Sequence, residues 1–302
     1  MKILITGASG FIGRQLSQAL HYAGHEISGI GHGDGFDWET GGLSHWESGS
    51  VTLESLVKLG QKPDLIIHCA GGASVGPSIE APMDDFNRTV SATSAVLEYI
   101  RTSSTRSRLI YLSSGAVYGN TDIQPITEDI PANPVSPYGT HKLMAEHLCS
   151  LYARQFKVHT TVIRFFSIYG EGLRKQLLWD ACQKFSKGEF SFFGTGEEIR
   201  DWLHVSDAIR LIECITRKNT ISPFTVINGG SGKGIRIRDI LNRVMQGLAI
   251  DAPLVFSNQH KAGDPGCFIA DVTQAHSLGW KSLINIDEGI KLYCQWYKAL
   301  AQ

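Results

Sequence analysis

Tyr138 and Lys142 stand four residues apart in Tyr138-Gly139-Thr140-His141-Lys142, and on a helix that spacing puts a phenol and an ammonium on one face. A phenol titrates near 10, so moving a proton near neutral pH takes roughly 4 kcal/mol of extra stabilisation of the phenolate. An adjacent Lys cation, together with a second bound cation, can supply it, and the Tyr then becomes a general acid/base. Upstream, Ser113-Ser114 ends an apolar run, where a hydroxyl can hydrogen-bond the reacting oxygen. Each feature alone reads more simply as a capped turn or a solvated Tyr, so the context decides.

That context begins with Thr6-Gly7-Ala8-Ser9-Gly10-Phe11-Ile12-Gly13, directly after the first apolar run and opening the first amphipathic one. Gly7 permits a tight turn, Gly10 lets the backbone approach a pyrophosphate at a helix N-terminus, and Gly13 allows close helix–strand packing. With strand, turn and helix in register, the pattern predicts a dinucleotide cradle made by Gly7, Ser9, Gly10, Phe11, Ile12 and Gly13.

The elements that must position these groups follow a βαβ rhythm. The pattern predicts strands over residues 2–6, 26–30, 65–69, 108–113 and 160–165, with helices over 11–22, 53–59, 83–102 and 138–154. Such alternation gives an α/β fold, a Rossmann-type doubly wound parallel sheet. After Phe166 the rhythm breaks into a Gly-punctuated segment, with helices near 175–187, 237–248 and 287–299 and a strand at 225–227. The expected organisation is a dinucleotide-binding domain at 1–165 with a returning segment at about 203–229. Residues 166–202 and 230–302 are then a smaller C-terminal α/β substrate-binding region.

Composition narrows the function classes. Among 302 residues, 28 Lys plus Arg face 29 Asp plus Glu, a net charge of -1, so no broad field favours nucleic acid or an anionic membrane. The six cysteines are scattered without a C-x-x-C pair and read as reduced thiols, and no spacing arranges metal ligands. No stretch approaches 18 apolar residues, and the opening Met1-Lys2-Ile3-Leu4-Ile5 leaves no room for a signal peptide. The expected partners exclude nucleic acid and membrane, and the expected compartment is the cytoplasm.

Read in order, the motifs resemble the extended short-chain dehydrogenase/reductase family, in its NAD(P)-dependent nucleotide-sugar epimerase/dehydratase/reductase branch. The resemblance runs from Gly7, Gly10 and Gly13 through His68-Cys69-Ala70, Asn87, Leu112-Ser113-Ser114-Gly115-Ala116-Val117-Tyr118-Gly119 and Tyr138 with Lys142. It continues through Arg164-Phe165-Phe166-Ser167-Ile168-Tyr169-Gly170, Phe193-Gly194-Thr195-Gly196, Arg200-Asp201-Trp202, Val205-Ser206-Asp207, Asn228-Gly229-Gly230 and Ala262-Gly263-Asp264. It implies Ser114, Tyr138 and Lys142 as the catalytic set. Tyr138 moves the proton on the sugar C4 oxygen, Ser114 hydrogen-bonds that oxygen, and Lys142 holds the nicotinamide ribose. It adds His32, Ala70, Asn87, Phe165 and, in a second role, Tyr138 and Lys142 to the cofactor contacts, and Ser167, Arg200 and Lys261, beside Ser114, to those of a nucleotide-diphosphate sugar. It also implies a homodimer through the helix that carries Tyr138 and the one before it. Against Arg200 stands the simpler reading of Arg200-Asp201 as a surface ion pair.

The departures from that pattern carry information. Where the family's 4,6-dehydratases place Asp and Glu after the catalytic hydroxyl, this chain has Gly115 and Ala116, and neither moves a proton. Gly31 stands where NAD-preferring members carry an acid for the ribose 2′-hydroxyl, and Ser50 where an adenine-contacting Asp is common. The missing carboxylate favours NADP over NAD, with Asp34 and Asp37 as replacement acids if their loop folds back. Ser167 and Lys261 replace an Asn and an Arg on the substrate diphosphate. The leading expectation is therefore a 4-ketoreductase acting on an NDP-4-keto-6-deoxy sugar. The alternative is an NDP-hexose 4-epimerase resembling UDP-glucose 4-epimerase, and a remote third is a non-catalytic NAD(P)-sensing protein.

Overall fold

The apolar runs of the first half are buried along their whole length, as strands covered by helices on both faces must be. The computed structural model describes residues 1–33, 41–60, 62–218, 222–259 and 266–300. Lys261, Asp34 and Asp37 lie outside them. The chain divides into two compact units, the first being Met1–Gly119, Pro131–Phe165 and Ile212–Ile227, the second Asn120–Ile130, Phe166–Leu211 and Asn228–Gln302. Asn120–Ile130 thus packs with the second unit rather than with the rest of 1–165, and the returning segment is shorter than 203–229.

In the first unit, β1 (Lys2–Thr6), α1 (Phe11–Tyr22), β2 (Glu26–Gly31), β3 (His45–Ser48), α2 (Leu53–Lys58) and β4 (Leu65–His68) come first. A helical run follows, α3 (Val75–Glu80), α4 (Pro82–Phe86), a π-helical turn (Asn87–Ser91) and α5 (Ala92–Ser103), where periodicity alone predicts a single helix. Then come β5 (Arg108–Ser114), a 3-10 turn (Gly115–Tyr118), α6 (Pro137–Phe156) and β6 (Thr160–Phe165). The sheet has seven strands ordered β10-β6-β5-β4-β1-β2-β3, with β10 at Phe224–Gly229. Its order reverses between β1 and β4, and the crevice at their carboxyl ends is where an open α/β sheet takes its ligand. Leu4, Ile66, Leu109 and Val162 of the strands pack with Leu56, Val96, Ile100 and Cys149 of the helices.

The second unit holds β7 (Ser167–Tyr169), α7 (Gln176–Ser186), β8 (Ser191–Phe192), β9 (Ile199–His204) and the start of α8 (Val205–Thr216). It continues with β11 (Gly234–Arg236), α9 (Ile237–Leu248), β12 (Val255–Phe256), β13 (Cys267–Phe268), α10 (Thr273–Ser277) and α11 (Ile286–Ala299). Strand β9 pairs with β7, β11 and β13. Asp201 on β9 is fully buried and accepts from Ser231 N and Oγ at 2.6 Å each, Gly232 N at 2.9 Å and Ala270 N at 3.1 Å. Its charge is thus spread over backbone and hydroxyl donors, and the surface ion pair with Arg200 does not form.

Candidate active site

The glycine turn sits at the switch point. Gly7 has φ +68, and a Cβ there would lie 2.8 Å from Ala70 N, so the turn after β1 abuts the one after β4 at main-chain distance. A Cβ on Gly13 would lie 2.2 Å from Gly7 O, which explains that glycine by packing. Gly10 is the N-cap of α1 with no side-chain cap and no acid in the first turn. Phe11, Ile12 and Gly13 therefore present first-turn N–H groups to whatever anion the turn receives. At the far end, Ser9 Oγ donates to the carbonyl of His32, and Ser50 Oγ is 3.4 Å from His32 Nε2. A Cβ on Gly31 would meet Ser9 Oγ at 2.9 Å. The sequence places no acid at either position, and the structure shows small polar groups there instead.

A buried relay ties this turn to the helical run. Ala70 N–H donates to Thr6 Oγ1 at 3.3 Å, and Thr6 Oγ1 donates to His68 Nδ1 at 2.5 Å. Thr93 Oγ1 gives its proton to Thr89 O at 2.6 Å, so it must accept from His68 Nε2 at 3.1 Å. Burial holds His68 down to about 3, helped by the Lys142 charge, so the ring is a neutral connector and not a proton shuttle. Gly72 N donates to Thr89 Oγ1 at 2.9 Å. Thr89 is the buried contact that sequence reading missed, while Asn87 is exposed and accepts from Ser91 Oγ at 3.4 Å. Asn87 thus points away from the side on which the buried Asp85 and Thr89 face inward.

Ser114, Tyr138 and Lys142 converge at the carboxyl end of β5. Ser136 caps α6 by accepting from Gly139 N, Pro137 opens the helix, and Tyr138 N donates to Ser78 Oγ at 3.0 Å. Lys142 Nζ is buried, donates to Leu112 O at 2.9 Å, and lies 5.9 Å from the centre of the Tyr138 ring and 5.2 Å from that of Tyr111. Burial lowers Lys142 to about 8, against the raising pull of Asp85, Cys69 and Glu146. Burial also raises Tyr138, and its hydrogen bond with Ser114 pulls the other way. In the free protein the balance thus runs opposite to the expected lowering of the phenol by Lys142. Phe165 is buried at the end of β6, in register with Ser114.

In the second unit a cavity of about 180 Å³ is lined by Ser167, Ile168, Tyr169, Leu173, Gln176, Leu177, Leu178, Arg200, Trp202 and Ile237. It brings together two of the three described residues expected to contact the substrate, Ser167 and Arg200, while Ser114 is not among its lining. Trp202 Nε1 is buried there without a hydrogen-bond partner among the described residues. Apolar walls with a guanidinium, a hydroxyl and an indole N–H suit a flat polar ring carrying anionic groups. Among the described residues no group of His, Cys, Asp and Glu could hold a metal, the cysteines are free, and no helix is long and apolar enough to cross a membrane.

Comparison with known proteins places this geometry. The NAD dependent epimerase/dehydratase family matches residues 3–230. The UDP-glucose 4-epimerase of Lactobacillus helveticus is 26% identical, over 99% of this chain and 98% of that protein. Among solved structures, a UDP-glucose 4-epimerase from Thermotoga maritima, crystallised with UDP-glucose, superposes with a TM-score of 0.91 at 25% identity, covering 100% of both chains. A UDP-glucuronic acid 4-epimerase from Bacillus cereus, in complex with UDP-glucuronic acid and NAD, gives 0.89 at 26% identity, covering 99% of this chain and 100% of that one.

Proposed function

The chain belongs to the NAD-dependent epimerase/dehydratase family, and from that premise we propose that it is a UDP-hexose 4-epimerase with NAD as its cofactor. This reverses the order expected from sequence, which put a 4-ketoreductase first; the similar proteins are 4-epimerases. The observation that carries the proposal is the convergence of Ser114, Tyr138 and Lys142, with Gly115 and Ala116 leaving no acid for water loss.

The cradle fits the cofactor. The uncapped N-terminus of α1 suits a pyrophosphate, and Gly7 and Gly10 keep side chains out of its path. When bound, NAD supplies the hydride chemistry at sugar C4. Tyr138 takes the proton of the C4 hydroxyl and returns it after the sugar has turned its other face, and Ser114 donates to the same oxygen. Lys142 orients the nicotinamide ribose, and its ammonium favours the phenolate once substrate closes the site. Ser167 and Arg200 hold the nucleotide diphosphate. We also infer a cytoplasmic homodimer, for which the exposed Met144 and Leu151 on α6 supply apolar contact.

The test is to denature freshly purified protein, identify any released dinucleotide by mass, and incubate the native enzyme with UDP-glucose without added cofactor. About one NAD per chain and accumulation of UDP-galactose support the epimerase. An empty or NADP-loaded protein that turns over only a 4-keto sugar with added reduced cofactor supports the reductase instead.

A further inference from the structure

His141 lies between Tyr138 and Lys142 in the chain, yet its partner comes from elsewhere. Its Nδ1 is 2.6 Å from Asp85 Oδ2 of α4, with side-chain exposures of 12% and 7%, and its ring meets Phe86 edge-on at 5.5 Å. The other carboxylate oxygen, Oδ1, presses on Gly72 so closely that a Cβ there would be 1.9 Å away. A Cβ on the neighbouring Gly71 would be 3.3 Å from Lys142 Nζ and 3.5 Å from Thr89 Oγ1. One side-chain-free dipeptide therefore separates a buried carboxylate from the buried ammonium.

The remaining groups around Lys142 cannot play that part. Glu146 on α6 is taken up by the Arg164 guanidinium of β6 and by Ser113. Burial pushes the Cys69 thiol up to about 12, so it stays protonated, and His68 stays neutral. Tyr111, under the ammonium, and Tyr138, beside it, are both raised by burial. Among the described residues, Asp85 is the carboxylate facing the pair that no Arg or Lys neutralises. A buried carboxylate–imidazole contact is a weak device for stability alone, because desolvation cancels much of its attraction.

We propose that Asp85, held and oriented by His141, is a positioning residue that sets the charge balance of the Tyr138–Lys142 couple. Its field keeps Lys142 cationic against desolvation and holds the Tyr138 phenol protonated until substrate and cofactor are in place. It leaves the chemistry to Tyr138, and so rests on the role given to Tyr138 above. Asp85 also acts on Lys142 and Tyr138 in the raising direction for both.

The test reads Tyr138 directly. Tyrosinate absorbance is titrated in the full-length protein and in Tyr138→Phe, and the difference gives the Tyr138 midpoint without any turnover. The same difference is then taken in Asp85→Asn and, with the charge cancelled from the other side, in His141→Lys. Both variants should move the midpoint down by about one pH unit, the reach of a unit charge several ångströms away in a partly solvated interior. Asp85→Glu should leave it near the wild-type position. A melting temperature that falls while the midpoint stays put in both variants makes the pair a tie between α4 and α6 and overturns the proposal. If Asp85→Asn does not fold, His141→Lys decides alone. A shifted midpoint in a protein inactive on every UDP-hexose keeps this inference and removes the epimerase reading.

Discussion

Arg164 closes on Glu146 with Nε at 3.1 and 3.2 Å from the two carboxylate oxygens and Nη2 at 2.7 Å from one of them. The guanidinium also lies 4.7 Å from the centre of the Tyr118 ring. This pair locks α6 to β6 below Lys142, and both side chains are buried. Glu146→Ala leaves an uncompensated guanidinium and should cost about 3–5 kcal/mol in urea unfolding. The double variant Glu146→Leu with Arg164→Met should recover most of that loss, which a double-mutant cycle checks.

Tyr138→Phe keeps the ring and removes the proton carrier. Turnover of UDP-hexose should fall by about 10²–10⁴-fold while the dinucleotide content of the purified protein is unchanged. Loss of the dinucleotide along with the activity would show that the Tyr138 hydroxyl also holds the cofactor.

Lys142→Met should stabilise the protein at pH 7. The folded-state value of about 8 lies below the ordinary 10.5, so the native state binds fewer protons between those limits and stability rises with pH across them. Below about pH 8 the full cost is present, roughly 3 kcal/mol. Removing the amine also removes its bond to Leu112 O, worth about 1 kcal/mol, for a net gain of about 2 kcal/mol at neutral pH. The gain should disappear by about pH 10.5, and activity should be lost throughout. Urea midpoints at the two pH values test this.

Gly31→Asp restores a ribose-facing acid, provided that Ser9 swings aside from a Cβ 2.9 Å away. Because no carboxylate repels a 2′-phosphate at this position, the wild-type protein should separate NAD from NADP by less than about tenfold. The variant should widen that ratio at the expense of NADP, as fluorescence titration with each dinucleotide will show.

Arg200→Met should raise KM for the nucleotide sugar by about 10–100-fold with kcat little changed, the signature of a charge-assisted contact equal in ground and transition states. A fall confined to kcat would remove Arg200 from the substrate contacts.

The local parts of this site were readable and the distant ones were not. Gly7, Gly10 and Gly13, and Tyr138 with Lys142, are spacings within one turn or one helix, and strand–turn–helix chemistry makes them legible. Asp85 and His141 are 56 residues apart, and no periodicity announces such a pair. Thr89 is hidden for another reason. The stretch 83–102 reads as one amphipathic helix, but whether Asn87 or Thr89 faces the Gly71–Gly72 turn is settled by tertiary packing. Strand β3 escaped because His45–Ser48 is short, polar and only partly buried, an edge strand without alternation. Trp202 appeared in sequence only as part of a motif. Its value as a donor emerges from the cavity, where its indole N–H lacks a partner.

The bare N-cap at Gly10 leaves a place where a bound dinucleotide adds to the stability of the fold. A helix whose first-turn donors meet no side chain of its own finishes that end with a borrowed anion, so every bound molecule shifts the unfolding equilibrium by mass action. Resistance to unfolding and to proteolysis should then rise with the concentration of NAD.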